Sequence, residues 1–262
     1  MWGAAPLDVL PLWAMFAATL VGILLAGEVG HRLGRLRLRR SEHEQEPPVG
    51  GMVAAELGLL AFLLAFTFSL GASRFEARRQ VLLDETNAIG TAYLRAGLLP
   101  ESHRDDVRRL LREYVDVRLA AAQDGSAEAA VGRSNELHDR LWSEAVAAME
   151  KDPRSVATGL FVQSLNDVID RHAERVMLAL RSRIPWIVWG VLFAVTVLSF
   201  GTMGYQSGLT GKSRSPAVLA IALTFATVLW LVVDLDRPRQ GLLRVSQQPM
   251  IDLRNTMAGG SD

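Results

Sequence analysis

Four uninterrupted apolar runs constrain this chain more than any motif does: Leu10 to Ala26, Met52 to Leu70, Ile184 to Met203 and Pro216 to Val233. Each is about the length that crosses a hydrocarbon core of roughly 30 Å as a helix. A lipid-exposed segment finds no water for its backbone and must close its hydrogen bonds within itself, so helix is the economical form for all four. The chain therefore reads as an integral membrane protein. Its 28 basic and 28 acidic side chains balance, which recommends neither nucleic acid nor an acidic substrate as partner. Charge is nearly absent from the runs and dense between Ser73 and Arg183, the partition expected between lipid and water. With no cysteine there is no disulfide framework, thiolate nucleophile or thiolate metal site.

The first run lacks the basic segment that opens a signal peptide, and Glu28-Val-Gly-His31 is no small-residue cleavage site, so it reads as a retained span. Trp2, Trp13, Trp186 and Trp189 stand near span ends, where an indole buries its ring and wets its N–H; Trp230 lies deeper and is expected to pack against a neighbour. The arginine-rich stretch His31 to Arg40, the acidic, proline-bearing Ser41 to Pro48 and Gly50-Gly51 read as a connector. The second run has no breaker at its polar end. Strong helix formers continue through Ser73-Arg-Phe-Glu-Ala-Arg-Arg-Gln80 towards Arg95, predicting one long helix that leaves the bilayer and ends near Gly97 to Pro100.

Beyond Pro100, Val107, Leu110, Leu111, Tyr114, Val115 and Val117 to Leu119 recur at helical spacing as far as Asp124-Gly-Ser126. A further helix is predicted from about Val131 to Met149 with Leu137, Leu141, Ala145 and Ala148 on one face, and another with Leu160, Leu165, Val168, Ile169, Val176 and Leu180 leading to the third span. Asp152-Pro153 separates these two. No stretch alternates with period two for long enough to suggest a sheet. The fold class is all-α: four transmembrane helices with a helical, water-facing domain inserted between the second and third. The expected divisions are a transmembrane hairpin over 1–70, the helical domain over 71–183, a second hairpin over 184–233 and a C-terminal tail over 234–262.

Three separated stretches resemble the bestrophins, and in particular the bacterial bestrophin-like group. The second span runs through Phe66-Thr-Phe-Ser-Leu-Gly-Ala-Ser into Arg74-Phe75-Glu76-Ala77-Arg78, similar to the bestrophin Arg-aromatic-aromatic-Glu-x-Arg motif with one aromatic missing. Asn166, Glu174-Arg175-Val176 and Ile184-Pro185 follow the order seen before the third bestrophin span, with Arg183 where the first of two prolines stands. Asp234-Leu-Asp236-Arg237-Pro238 is a partial counterpart of the acidic stretch after the fourth span. Val81 to Gly90 and Val245 to Pro249 resemble the bestrophin-like group rather than the characterised channels, and no role is assigned to them. The resemblance implies a homo-oligomer, a pentamer of four-span subunits whose second helices line a central pathway for inorganic ions. Shared fold does not carry activity with it.

Leu59, Phe62 and Phe66 recur at spacings of three and four on one face of the second span. Around a shared axis that face would make a hydrophobic neck that gates by dewetting; alone it could equally be lipid-facing or bundle-packing surface. Glu56 is the one carboxylate in the run, near its start, where it can mark a pore mouth or lie at headgroup level in water. Arg74, Glu76 and Arg78, with Arg79, sit where the helix leaves the membrane and could set ion sign or meet headgroups. Asp234 and Asp236, flanked by Arg237 and Arg239, are a poor oxygen cage for calcium, so a helix-end or headgroup role is expected. Thr67, Ser69, Thr196, Ser199, Thr224 and Thr227 can bond carbonyls of their own helix. No titratable residue sits centrally in a span, which disfavours proton-coupled transport.

No metal, cofactor or catalytic site is expected. His31, His43, His103, His138 and His172 lack ligand spacing, no phosphate-cradling or nucleophile-elbow motif is present, and Asp84-Glu85 and Asp105-Asp106 read as solvated acids on exposed helices. Two arguments about orientation oppose each other. Arginines 32 to 40, with Lys212 and Arg214, place that side in the cytoplasm by positive-inside counting, while bestrophin topology puts the helical domain and both termini there. The reading is a multi-pass protein of the bacterial inner membrane, conducting ions; the alternative is a non-conducting membrane protein whose helical domain binds a protein partner or senses the envelope.

Overall fold

The structure, a computed structural model, describes residues 10–40, 49–124, 126–180, 183–210, 216–237 and 241–259. Among these there are eight helices and no strand: α1 (Leu12–Arg40), α2 (Val49–Ala96), α3 (Glu101–Asp124), α4 (Ala127–Lys151), α5 (Val156–Leu180), α6 (Trp186–Leu209), α7 (Pro216–Asp236) and α8 (Gln248–Gly259). Helices α1, α2, α6 and α7 are long and apolar enough to cross a membrane. The chain divides into two compact units, the first Met1–Arg74 with Arg183–Leu243 and the second Phe75–Ser182 with Arg244–Asp262. Helix α2, 48 residues and so about 72 Å long, contributes to both.

Unit 1 buries Met15, Ile23, Leu60, Leu64, Leu192, Phe200, Ala226 and Leu229 at its centre. Its tightest contact is backbone on backbone. Gly27, Gly30 and Gly34 of α1 and Gly201, Gly204 and Gly208 of α6 repeat the same spacing, three residues and then four, and the two helices run parallel with these glycines facing. A Cβ on Gly30 would stand 1.9 Å from the Gly201 carbonyl oxygen, and one on Gly204 2.0 Å from that of Gly27. Small residues that let backbones approach are how helices associate where the solvent is as apolar as their side chains.

This pairing explains where the connector prediction fails. Helix α1 continues through His31 to Arg40, because Gly34 is held against Tyr205 and Gly208, the sequence offers no breaker, and Arg37, Arg39 and Arg40 complement the negative end of the helix dipole. Ser41 to Pro48 lies outside the described residues, as do Trp2, His43, Lys212, Arg214 and Arg239. Trp189 is buried against Phe193 with ring centroids 6.3 Å apart. Trp13 and Trp186 are exposed.

Unit 2 is organised around α3. Val107, Leu110, Leu111, Tyr114 and Val115 are fully or almost fully buried, meeting Leu82, Ile89, Ala92 and Ala96 of α2, Leu137, Leu141, Ala145 and Ala148 of α4, and Leu165 and Val168 of α5. On α5 the buried lead residue is Phe161, while the expected Leu160 is exposed. Residues 244–259, read as tail, include α8, whose Met250 and Met257 enter this same core. Tyr93 donates its hydroxyl to the Met257 carbonyl at 3.1 Å.

Candidate functional site

The apolar stretch of α2 has two faces. Val53, Leu60, Leu64 and Thr67 are buried within unit 1, and Thr67 donates to the Leu63 carbonyl at 2.7 Å, closing its polar group on its own helix. Thr196, Thr224 and Thr227 do the same on α6 and α7. On the other face Leu59, Phe62 and Phe66 are 51 %, 66 % and 61 % exposed, with the phenylalanine rings stacked 6.4 Å apart. Among the described residues nothing of unit 1 covers this stripe.

Near the start of the same stretch Glu56 is half-buried and turned towards α6. Thr202 donates its hydroxyl to Glu56 Oε2, and Ser199 reaches the Glu56 carbonyl at 3.5 Å. One carboxylate oxygen is therefore tied to a neighbouring helix. At the other end of the stretch, Arg74 is half-buried and its Nη1 has no hydrogen-bond partner among the described residues. In unit 2, Glu76 is exposed and accepts from Arg79 at 3.1 Å, while Arg78 is buried.

Asp234 and Asp236 are buried at the end of α7 and cap backbone. Asp234 accepts the amides of Leu242 at 2.7 Å and Leu243 at 3.0 Å, one on each carboxylate oxygen, folding the chain back after the helix. Asp236 accepts the Ile184 amide at 2.9 Å, fixing the segment that leads into α6. Arg237 donates to the Leu10 carbonyl at 2.7 Å and lies 2.9 Å from Met15 Sδ. Both carboxylates thus spend oxygens on backbone amides at the ends of α7 and α6.

Unit 2 holds a constellation that sequence reasoning missed. Glu85, read as a solvated acid, is fully buried. It accepts the Tyr114 hydroxyl at 2.7 Å and a bond from Arg175, and Arg118 Nε stands 3.3 Å away. Burial by itself would raise the Glu85 pKa, but Arg175, His172 and Arg118 outweigh it and hold the carboxyl well below its usual range. Tyr114 is pushed up by burial and by the Glu85 charge. Its single proton goes to Glu85, so its oxygen accepts from His172 Nδ1, 3.0 Å away, which fixes that histidine's tautomer. The His138 ring lies 5.0 Å from that of His172, and burial, then His172, lowers its pKa to about 4. Arg175 also donates to Gln247 at 3.1 Å, tying the segment before α8 to the cluster. The missed signal was spacing: Tyr114 and Arg118 are one turn apart on α3, and Glu85 continues the buried row of Leu82 and Ile89. Among the described residues no group of three or more His, Asp or Glu is arranged to hold a metal.

The arrangement of the helices has a counterpart in known proteins. A model of the bestrophin-like domain matches residues 21–250. The chain belongs to the bestrophin-like family. Its fold is that of solved relatives: a bacterial bestrophin homologue from Klebsiella pneumoniae, crystallised as a point variant, superposes with a TM-score of 0.64 at 14% identity, covering 94% of this chain and 96% of that one. Two crystal structures described as membrane proteins, also variants, superpose with TM-scores of 0.67 at 14% identity (92% and 97% covered) and 0.60 at 17% identity (92% and 94% covered). No curated protein matches the chain in sequence. With the family shown and four apolar helices in place, this bestrophin-like chain is an integral membrane protein.

Proposed function

We propose that this bestrophin-like protein is a homo-oligomeric pore for inorganic ions, a pentamer in which α2 from each subunit faces a common axis. The observation that carries the reading is the uncovered stripe of Leu59, Phe62 and Phe66. Three large apolar side chains on one helix face, left open while the opposite face is buried, are what a hydrophobic constriction built between subunits requires. Glu56 near one end of the stripe and Arg74 and Glu76 beyond the other supply charges at the mouths, while Arg78, being buried, is assigned no such role. Unit 2 is the water-facing domain, its chain inserted between the second and third spans and completed by α8, and the protein is multi-pass in the bacterial inner membrane. No catalytic role is assigned.

Native mass spectrometry of the detergent-purified protein, followed by ion flux in liposomes, tests this. A pentamer whose leak rises when Phe62 and Phe66 are both replaced by alanine supports the neck. A monomer or dimer, or flux indifferent to the double substitution, overturns it. A monomer or dimer without flux would favour the non-conducting reading, for which the exposed apolar groove of Trp142, Val146 and Met149 in unit 2 supplies a docking surface.

A further inference from the structure

Unit 1 carries a groove of about 580 Å³ between α1, α6 and the first turn of α7, with two chemically different ends. One is walled by Leu24, Phe200, Met203 and Leu219, and the other by Glu28, His31, Arg32 and Ser207. The glycine contact explains why a groove exists: Gly27 and Gly204 line it, and where α1 and α6 touch through backbone no side chain fills the space beside the seam. The apolar end lies within the first and fourth apolar runs. The polar end begins where the first run stops, so an amphiphile standing in the bilayer would meet each end at the matching depth.

The polar end has unspent bonding capacity. His31 Nδ1 is buried without a partner. Arg32 is exposed and gives Nε to Glu28 at 2.7 Å, while its terminal amino groups have no protein partner among the described residues. Beyond it Arg35, Arg37, Arg39 and Arg40 are all exposed on the same helix, and no acidic residue stands between His31 and Arg40. A fork of guanidinium donors matches a phosphate, and the run of arginines favours a headgroup with net negative charge over a zwitterionic one.

We propose that this groove binds one anionic glycerophospholipid per subunit, an acyl chain lying along Leu24, Phe200, Met203 and Leu219 and the phosphate held at His31 and Arg32. The site is separate from the α2 stripe and stands whether or not the protein conducts.

Native mass spectrometry of the full chain, titrated with phosphatidylglycerol or phosphatidylcholine, provides the test. One phosphatidylglycerol per subunit is expected in preference to phosphatidylcholine. Arg32→Gln, an exposed substitution, is expected to weaken phosphatidylglycerol about fivefold and phosphatidylcholine by less, because both carry the phosphate but only phosphatidylglycerol has a net negative charge. Leu219→Trp, which adds bulk at the apolar end, is expected to weaken both lipids. Equal affinity for the two lipids, or indifference to both variants, overturns the proposal. So does displacement of phosphatidylglycerol by millimolar inorganic phosphate without any effect of Leu219→Trp, because the site would then hold a free anion. Because the chain has no cysteine, Leu219→Cys introduces a single thiol. Disulfide crosslinking of that variant between subunits would place a second copy in the groove and also overturn the proposal.

Discussion

The two units solve the same problem, holding long helices together, by opposite means. In unit 1, α1 and α6 meet through facing glycines and backbone carbonyls, Thr67, Thr196, Thr224 and Thr227 close their hydroxyls on their own helices, and Glu56 accepts from one neighbouring threonine. Unit 2 surrounds α3 with leucines and places a carboxylate, two guanidiniums, a tyrosine and two histidines inside that core. The difference follows from the solvents read for each. Lipid gives apolar side chains no reason to associate, so contact area and close approach must do the work. In water the hydrophobic effect assembles the helices, and a buried ionic cluster then restricts which arrangement is allowed, since every member must find its partner.

That contrast can be broken most severely at the seam. Gly204→Leu would drive a side chain into the Gly27 carbonyl, where the facing element is backbone and cannot yield. We expect a loss beyond the usual 1–3 kcal/mol or so of overpacking and no monodisperse protein on size-exclusion chromatography. Gly22→Leu, at a position with open space around it, is the control and should leave the elution profile unchanged.

In unit 2 the corresponding break is Glu85→Ala, which leaves Arg118 and Arg175 without their shared carboxylate. A cost of about 3–5 kcal/mol is expected in thermal unfolding. Replacing all three by apolar residues of similar volume should recover most of it, because the uncompensated charges go with the carboxylate. Failure of the triple replacement to recover stability would mean that the cluster contributes bonding that an apolar core cannot replace.

Acid should distinguish the units as well. His138 is depressed to about 4 in the folded state, so between pH 6.5 and 4 the unfolded chain takes up a proton that the native chain refuses, and stability falls across that window. Glu85, also depressed, contributes stability above its ordinary pKa near 4.5 that is lost as pH drops further. Both shifts act in the same direction. The Tm should therefore fall from pH 7 to pH 4, and His138→Phe should flatten the upper part of the fall.

Smaller effects are expected where single polar bonds join helices of unit 1. Asp234→Ala frees two amides and should cost about 1–3 kcal/mol by differential scanning fluorimetry in detergent. Thr202→Val removes the hydroxyl bonded to Glu56 and should cost only about 0.6 kcal/mol, the average for side-chain hydrogen bonds between membrane helices. If Thr202→Val instead proved as costly as Asp234→Ala, the view that unit 1 depends on close backbone packing would need revision.

The sequence by itself determined the spans, the all-α class, the continuous α2 and the helical periodicity of α3 to α5, because hydropathy and period 3.6 are local properties of a chain. The residues carrying the family resemblance were legible for the same reason: Arg74, Glu76, Asp234 and Asp236 lie in short contiguous motifs. Only the tertiary structure decided which faces are spent. It buried Glu85 although its neighbour Asp84 is only half-buried, turned Asp234 and Asp236 inward to cap backbone, and set the glycines of α1 against those of α6, 177 residues later for Gly27 and Gly204. A charged residue's partner and a glycine's neighbour are properties of a second helix. Nothing in one helix's sequence specifies where that second helix will lie.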